Sequence, residues 1–149
     1  MSSRHWAHSQ RAQESVPVPG NASTVVMYAG MCWTASLTGE ADDGTADASG
    51  MPLDVECRRA MQRLRTALST VGTVLDDVLM LTVALRDPGE LAVFDQVLAE
   101  FFTAPFPART LIGAPLQGAV SVSAQAVCRA EAVLRRVGAD RVLEVVFSR

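Results

Sequence analysis

The residues most suited to chemistry gather around Arg109, which closes the run Phe101-Phe102-Thr103-Ala104-Pro105-Phe106-Pro107-Ala108-Arg109-Thr110. Two prolines stiffen the approach to it, and an apolar segment follows. A guanidinium presents a planar fork that pairs two-to-two with a carboxylate and stays charged at any relevant pH. Taken alone, such a residue serves a surface ion pair as readily as a ligand. Ser123 and Gln125 lie further on. A serine hydroxyl needs a base of its own before it can take a proton, and none adjoins Ser123 in sequence. Both residues suit holding a water or a polar ligand atom, or simply facing a wet surface. Cys32 follows Gly30 by two residues. With no histidine placed to lower its pKa, it reads as a buried, inert thiol. Trp33, just past Gly30, offers a wall to an aromatic or extended apolar ligand, or a loop or subunit contact. His5 and His8 form a bare His-x-x-His without companion ligands, and Asp42, Asp43 and Asp47 share a loop that nothing fixes. No metal site is expected from either group.

Composition narrows the classes. Of 149 residues, 49% are hydrophobic and 19% charged, with a net charge of -3. That supports one domain with a substantial core and apolar surface left over for a subunit contact. It disfavours nucleic acid as partner, since phosphate binding needs a clustered basic face. All 13 basic residues are arginine, so no lysine of this chain can form a Schiff base. Three separated cysteines without a Cys-x-x-Cys pair point to a reduced protein. The polar N-terminus has no apolar run of the signal-peptide kind. No stretch reaches the ~20 apolar residues of a membrane helix. The expected setting is the cytoplasm, with no membrane partner and no cofactor.

The elements that must position these residues follow from periodicity. Residues 1–22 read as an arm, with Val16-Pro17-Val18-Pro19 favouring extended backbone. Thr24 to Ala29 is a β-branched strand halted at Gly30, and Met31 to Ser36 continues as a second, irregular strand. Thr38 to Gly50 is a loop. Asp54 to Val71 is a helix, its apolar face built from Cys57, Ala60, Met61, Leu64, Leu68 and Val71, with Gly72 as its stop. Asp77 to Leu85 is a central strand. Asp87, Pro88 and Glu90 open a second helix, which ends before Pro105. Ala119 to Cys128 is a strand with Val120, Val122, Ala124 and Ala126 on one face and Ser121, Ser123 and Gln125 on the other. A short helical piece is expected over 130–137, ending at Gly138, and a terminal strand over 141–147. The alternation of strands and helices predicts an α+β fold.

The Phe-Pro-Ala-Arg-Thr run, Thr38-Gly39-Glu40, Leu85-Arg86-Asp87 and the Phe101-Phe102 helix end occur in an order that resembles the RidA family, also called YjgF or the reactive-intermediate deaminases. The resemblance covers about residues 24–128. It implies a chorismate-mutase-like mixed sheet with two main helices on one face. It also implies a homotrimer with three pockets at the subunit boundaries, and a core domain over 23–128 followed by a C-terminal extension over 129–149. In that family the arginine grips the carboxylate of a small substrate, which assigns that role to Arg109. The family's Ser-Gly-Gln is Ala29-Gly30-Met31 here. Its Glu-x-Glu, whose first glutamate helps activate water, falls on Ser123 and Gln125 when counted from Arg109. The tyrosine that often lines the family's pocket has no counterpart near Val16.

The resemblance thus implies a substrate site of Arg109, Ser123, Gly30, Met31, Trp33 and Gln125, with the catalytic group unknown. Three functions follow as expectations. One is a repurposed biosynthetic enzyme that performs cyclisation, elimination or hydrolysis on a carboxylate-bearing molecule. The others are a weak enamine/imine deaminase of the 2-aminoacrylate type and a non-catalytic trimeric ligand-binding protein.

Overall fold

In the computed structural model, residues 23–40, 51–116 and 118–128 are described in full, and 133–138 and 141–146 as backbone. Strand β1 (Val25–Tyr28) turns back on β2 (Met31–Thr34) in an antiparallel hairpin. Its two turn residues, Ala29 and Gly30, both hold positive φ, 50° and 77°, as a two-residue turn matched to strand twist requires. β3 (Leu37–Thr38) continues β2's course after a break at Ala35 and Ser36. At that break the amide of Ala124 donates instead to Thr34 Oγ1, at 2.9 Å.

Helix α1 spans Leu53–Ser69, with Pro52 before its first turn. Cys57, Ala60, Met61, Leu64 and Leu68 are fully buried, at the spacing expected of one apolar face. Gly72, at φ 71°, ends the segment. β4 (Val78–Leu85) follows a 3-10 turn over Leu75–Asp77. The side chain of Asp87 accepts from the amide of Gly89, at 2.8 Å, and caps a 3-10 turn over Pro88–Glu90. Helix α2 (Leu91–Phe101) begins only after that turn, three residues later than the capping pattern suggests. β5 (Ala108–Gly113) and β6 (Val120–Val127) complete the domain.

The six strands form one mixed sheet in the order β1-β2-β6-β4-β5, with β3 also paired to β6. Only β4 and β5 run parallel. Leu81, Val83 and Leu85 of β4, with Val120, Val122, Ala124 and Ala126 of β6, are buried in one core with α1 and α2. Each large apolar side chain buried there contributes about 1.5–3 kcal/mol. The other face of the sheet has no helix on it among the described residues. The two helices are tied at the surface by Arg58, which pairs with Asp54 of its own helix and Glu100 of α2. That guanidinium holds both carboxyls below their usual range.

A buried carboxylate fastens the two halves. Glu56, in the first turn of α1, is 3% exposed, and its Oε1 accepts from the amides of Ala119 at 2.6 Å and Val120 at 3.2 Å. Gly39 packs so closely on α1 that a Cβ there would lie 1.9 Å from the Glu56 carbonyl oxygen. Arg63 donates to the carbonyls of Thr38 and Glu40 from about two turns further along the helix.

One expectation is overturned. The segment predicted as helical over 130–137 contains a strand, β7 (Val133–Gly138), paired antiparallel with β8 (Arg141–Val146). Val133 pairs with Val146 and Gly138 with Arg141, leaving a two-residue connection, the commonest hairpin length. The β-branched valines favour that pairing over a single helical turn. The arm over 1–22 and the acidic loop over 41–50 lie outside the described residues.

Glu56→Ala should destabilise the domain by about 2–4 kcal/mol in urea unfolding, because two buried amides lose a charged acceptor. Glu56→Gln, which keeps one oxygen, should cost less. Gly39→Ala should cost more than Gly118→Ala, whose Cβ would lie 2.3 Å from the end of the Glu56 side chain rather than against backbone. Equal unfolding midpoints for wild type and Glu56→Ala would rule this fastening out.

Candidate functional site

Strand alternation decides which residues meet. Trp33 of β2, Gln125 of β6 and Met80 of β4 lie in one cross-strand row, through the pairs Trp33–Gln125 and Met80–Gln125. The next row holds Ser123, Thr82 and Thr110, through Thr82–Ser123 and Thr82–Thr110. All of these lie on the face away from the helices, as does Met31, which pairs with Val127. Trp33 is 38% exposed and Tyr28, opposite Met31, is 44% exposed. The open face therefore combines aromatic and thioether groups at β1–β2 with hydroxyls and an amide at β6–β4–β5. The strand positions of β6 on this face are Ser121, Ser123, Gln125 and Val127, none of them a carboxylate.

Ser121 was not singled out by sequence, yet it is one of few buried polar residues, 7% exposed and opposite both Thr38 and Ala84. The signal was present in the Ser-x-Ser-x-Gln alternation. Gly30 sits in the β1–β2 turn, where its carbonyl accepts from the amide of Cys128 at 2.8 Å.

Arg109 lies elsewhere. It pairs in register with Leu81, a fully buried residue on the helix side of β4. Its guanidinium reaches back over the sheet edge to Asp95 of α2, to which Nη1 donates. A single chain thus places Arg109 at the helix side of the last strand and Ser123 two strands inward on the opposite face. Met31, Trp33, Ser123 and Gln125 share a face; Arg109 does not join them within one protomer. Asp95 carries no sequence signal as a partner, because a residue on the exposed side of an amphipathic helix looks like any solvated carboxylate.

The thiols lie on the helix side. Cys32, Cys57 and Cys128 are all buried and free. Burial, reinforced by the neighbouring Cys128, pushes the Cys32 thiol up to about 12. Burial and the charges of Glu56 and Asp54 push Cys57 to about 12 as well. Thr73 Oγ1 donates to Cys128 Sγ at 3.3 Å. With the reacting form so scarce at neutral pH, neither Cys32 nor Cys57 supplies a nucleophile. Among the described residues no three His, Cys, Asp or Glu side chains converge as metal ligands. His5 and His8 lie outside the described residues. No described helix is long and apolar enough to cross a membrane.

In the native protein at pH 8, a thiol reagent such as Ellman's should titrate Cys32 and Cys57 only at the rate of unfolding, and all three cysteines at once in denaturant. Rapid native labelling of Cys32 would show an accessible thiolate and reverse this reading.

The family model described as Endoribonuclease L-PSP matches residues 23–128. The chain is similar to a solved structure from Entamoeba histolytica described as an endoribonuclease L-PSP, at 27% identity and a TM-score of 0.65, over 78% of this chain and 94% of that one. It also resembles the structure of RidA from an Antarctic Psychrobacter, at 19% identity and a TM-score of 0.63, over 79% and 96%. That second likeness is one of fold. Among curated proteins it is similar to a 2-iminobutanoate/2-iminopropanoate deaminase of Dermatophagoides farinae, 27% identical over 62 residues. That match takes in 42% of this chain and 48% of the relative, so the chain spans about half the length of the curated relative it matches.

Proposed function

The chain belongs to the Endoribonuclease L-PSP family, the group that includes RidA and YjgF proteins, and from that premise we propose that it is a small-molecule enzyme whose substrate carries a carboxylate held by Arg109. The pocket lies at a boundary between copies in a homotrimer. One copy supplies Arg109 from its edge strand, and open sheet faces supply Ser123, Gln125, Met31 and Trp33. The observation that carries this reading is the alternation along β5, which sets Arg109 off the open face of its own chain. A second copy is therefore needed to join the anchor to the polar rows. The exposed apolar groups Tyr28, Trp33, Ile112 and Phe106 supply surface for such an association.

Arg109 would bind and orient the substrate acid. Ser123 and Gln125 would hold a water or a polar substrate atom by neutral hydrogen bonds, and Trp33 and Met31 would wall its apolar part. Positioning alone lowers a barrier considerably. Without a carboxylate on the β6 face, hydrolysis of an imine lacks the acid–base help worth about 10² to 10⁴ in rate. A repurposed reaction on a larger acid, by cyclisation, elimination or hydrolysis, fits this apolar and neutral lining. Simple imine deamination is the second reading, favoured by the name of the curated relative: water adds to the imine carbon and ammonia leaves.

Ammonia release from freshly generated 2-iminopropanoate separates the two. Turnover should be slow in the wild type and rise in Ser123→Glu, whose added carboxylate beside a guanidinium stays ionised and available as a base. Fast wild-type turnover would establish the deaminase reading instead.

Arg109→Ala should weaken binding of small carboxylic acids by about 10- to 100-fold. Arg109→Lys should be nearly as damaging, because a point charge cannot reproduce the fork. Light scattering should give three chain masses at micromolar concentration. A stable monomer, or unchanged acid affinity in folded Arg109→Ala, would defeat the proposal.

A further inference from the structure

Arg109 is already in contact with one carboxylate. Its Nη1 donates to Oδ1 of Asp95, fourteen residues earlier on α2. The contact is single, and no other hydrogen bond or ion pair of Arg109 exists among the described residues. The Arg109 side chain is 30% exposed and that of Asp95 46%, so the pair sits at the surface of the sheet edge rather than in the core. A guanidinium has two edges that can take a carboxylate: the end formed by Nη1 and Nη2, and the side formed by Nε and Nη2. Asp95 engages one nitrogen of the first, and Nε and Nη2 of the second have no partner among the described residues.

We infer that Asp95 is a positioning residue for Arg109: it fixes the guanidinium by Nη1 so that the Nε–Nη2 side faces an incoming carboxylate. This rests on the reading of Arg109 as the substrate anchor. The anchoring strand is an edge strand with all six residues exposed, so β5 alone gives the long arginine side chain little to rest on. An unfixed arginine side chain holds rotamer entropy that binding must remove. Asp95 removes part of it before the ligand arrives. The same contact brings a negative charge to the anchor. The substrate acid therefore meets a neutral pair rather than a lone cation, and its affinity is set by geometry more than by net charge.

The two effects have opposite signs, and substitution separates them. Asp95→Asn keeps an oxygen that accepts from Nη1 and deletes the charge. Asp95→Ala deletes both. The probe is pyruvate, titrated calorimetrically into the full chain, with mass by light scattering confirming the same assembly in each variant. Asp95→Asn should bind pyruvate about threefold more tightly than wild type, from the lost repulsion across a partly exposed site. Asp95→Ala should bind it about fivefold more weakly than Asp95→Asn, the cost of an unfixed fork. If Asp95→Ala binds as tightly as Asp95→Asn, the aspartate only competes for the arginine and positioning is refuted. If both match wild type while Arg109→Ala loses binding, Asp95 is a bystander and the inference fails with the anchor intact. If Arg109→Ala binds pyruvate as wild type does, or the wild type binds none, the anchor reading itself falls.

Discussion

The fold depends on a charge placed where charges are costly. Glu56 is nearly inaccessible to water, and a carboxylate there must be compensated in full. Two amides at the entry to β6 and the first turn of α1 provide that compensation, since a helix N-terminus favours negative charge. In return the carboxylate sets the height at which α1 lies over the sheet and the point at which β6 begins. From that contact β6 runs on with its buried valines and alanines on one side and Ser121, Ser123 and Gln125 on the other. Gly39 belongs to the same constraint, because only a residue without Cβ lets the chain cross the helix backbone so closely.

From that register follows the separation of the polar rows from Arg109. A strand shows alternate residues to opposite faces, and β5 is held to β4 by six consecutive pairs that leave no freedom to choose. Thr110 lies in one row with Thr82 and Ser123 on the open side, so Arg109 must turn to the helix side. The architecture sets Arg109 and the polar rows on opposite faces of the sheet, which one chain does not bring together.

Much of this was legible in the sequence because it rests on periodicity. The spacing of Cys57, Met61, Leu64 and Leu68 marks the buried face of α1, and the alternation from Val120 to Ala126 marks both faces of β6. The inert character of Cys32 was also readable, since burial alone raises a thiol's pKa. Contacts between residues distant in sequence were not legible. Glu56 looks like an ordinary first-turn acid until Ala119 and Val120 arrive beside it. Asp95 looks solvated until β5 folds alongside. The 130–137 segment misled for a related reason: a short apolar run carries too few repeats to separate a helical period from a strand's, and its strand form depends on pairing with Arg141–Val146.

The last strand carries a consequence for the newly made chain. β5 ends the sheet, and its outer row of amides and carbonyls meets no other strand among the described residues. Leu111 and Ile112 are exposed beside that row. A bare, apolar edge is a template on which other chains add. Edges of this kind are commonly guarded by a charged side chain that makes stacking unfavourable, and Arg109 is the charged residue in β5. A guanidinium on this edge makes the stacking of further strands less favourable.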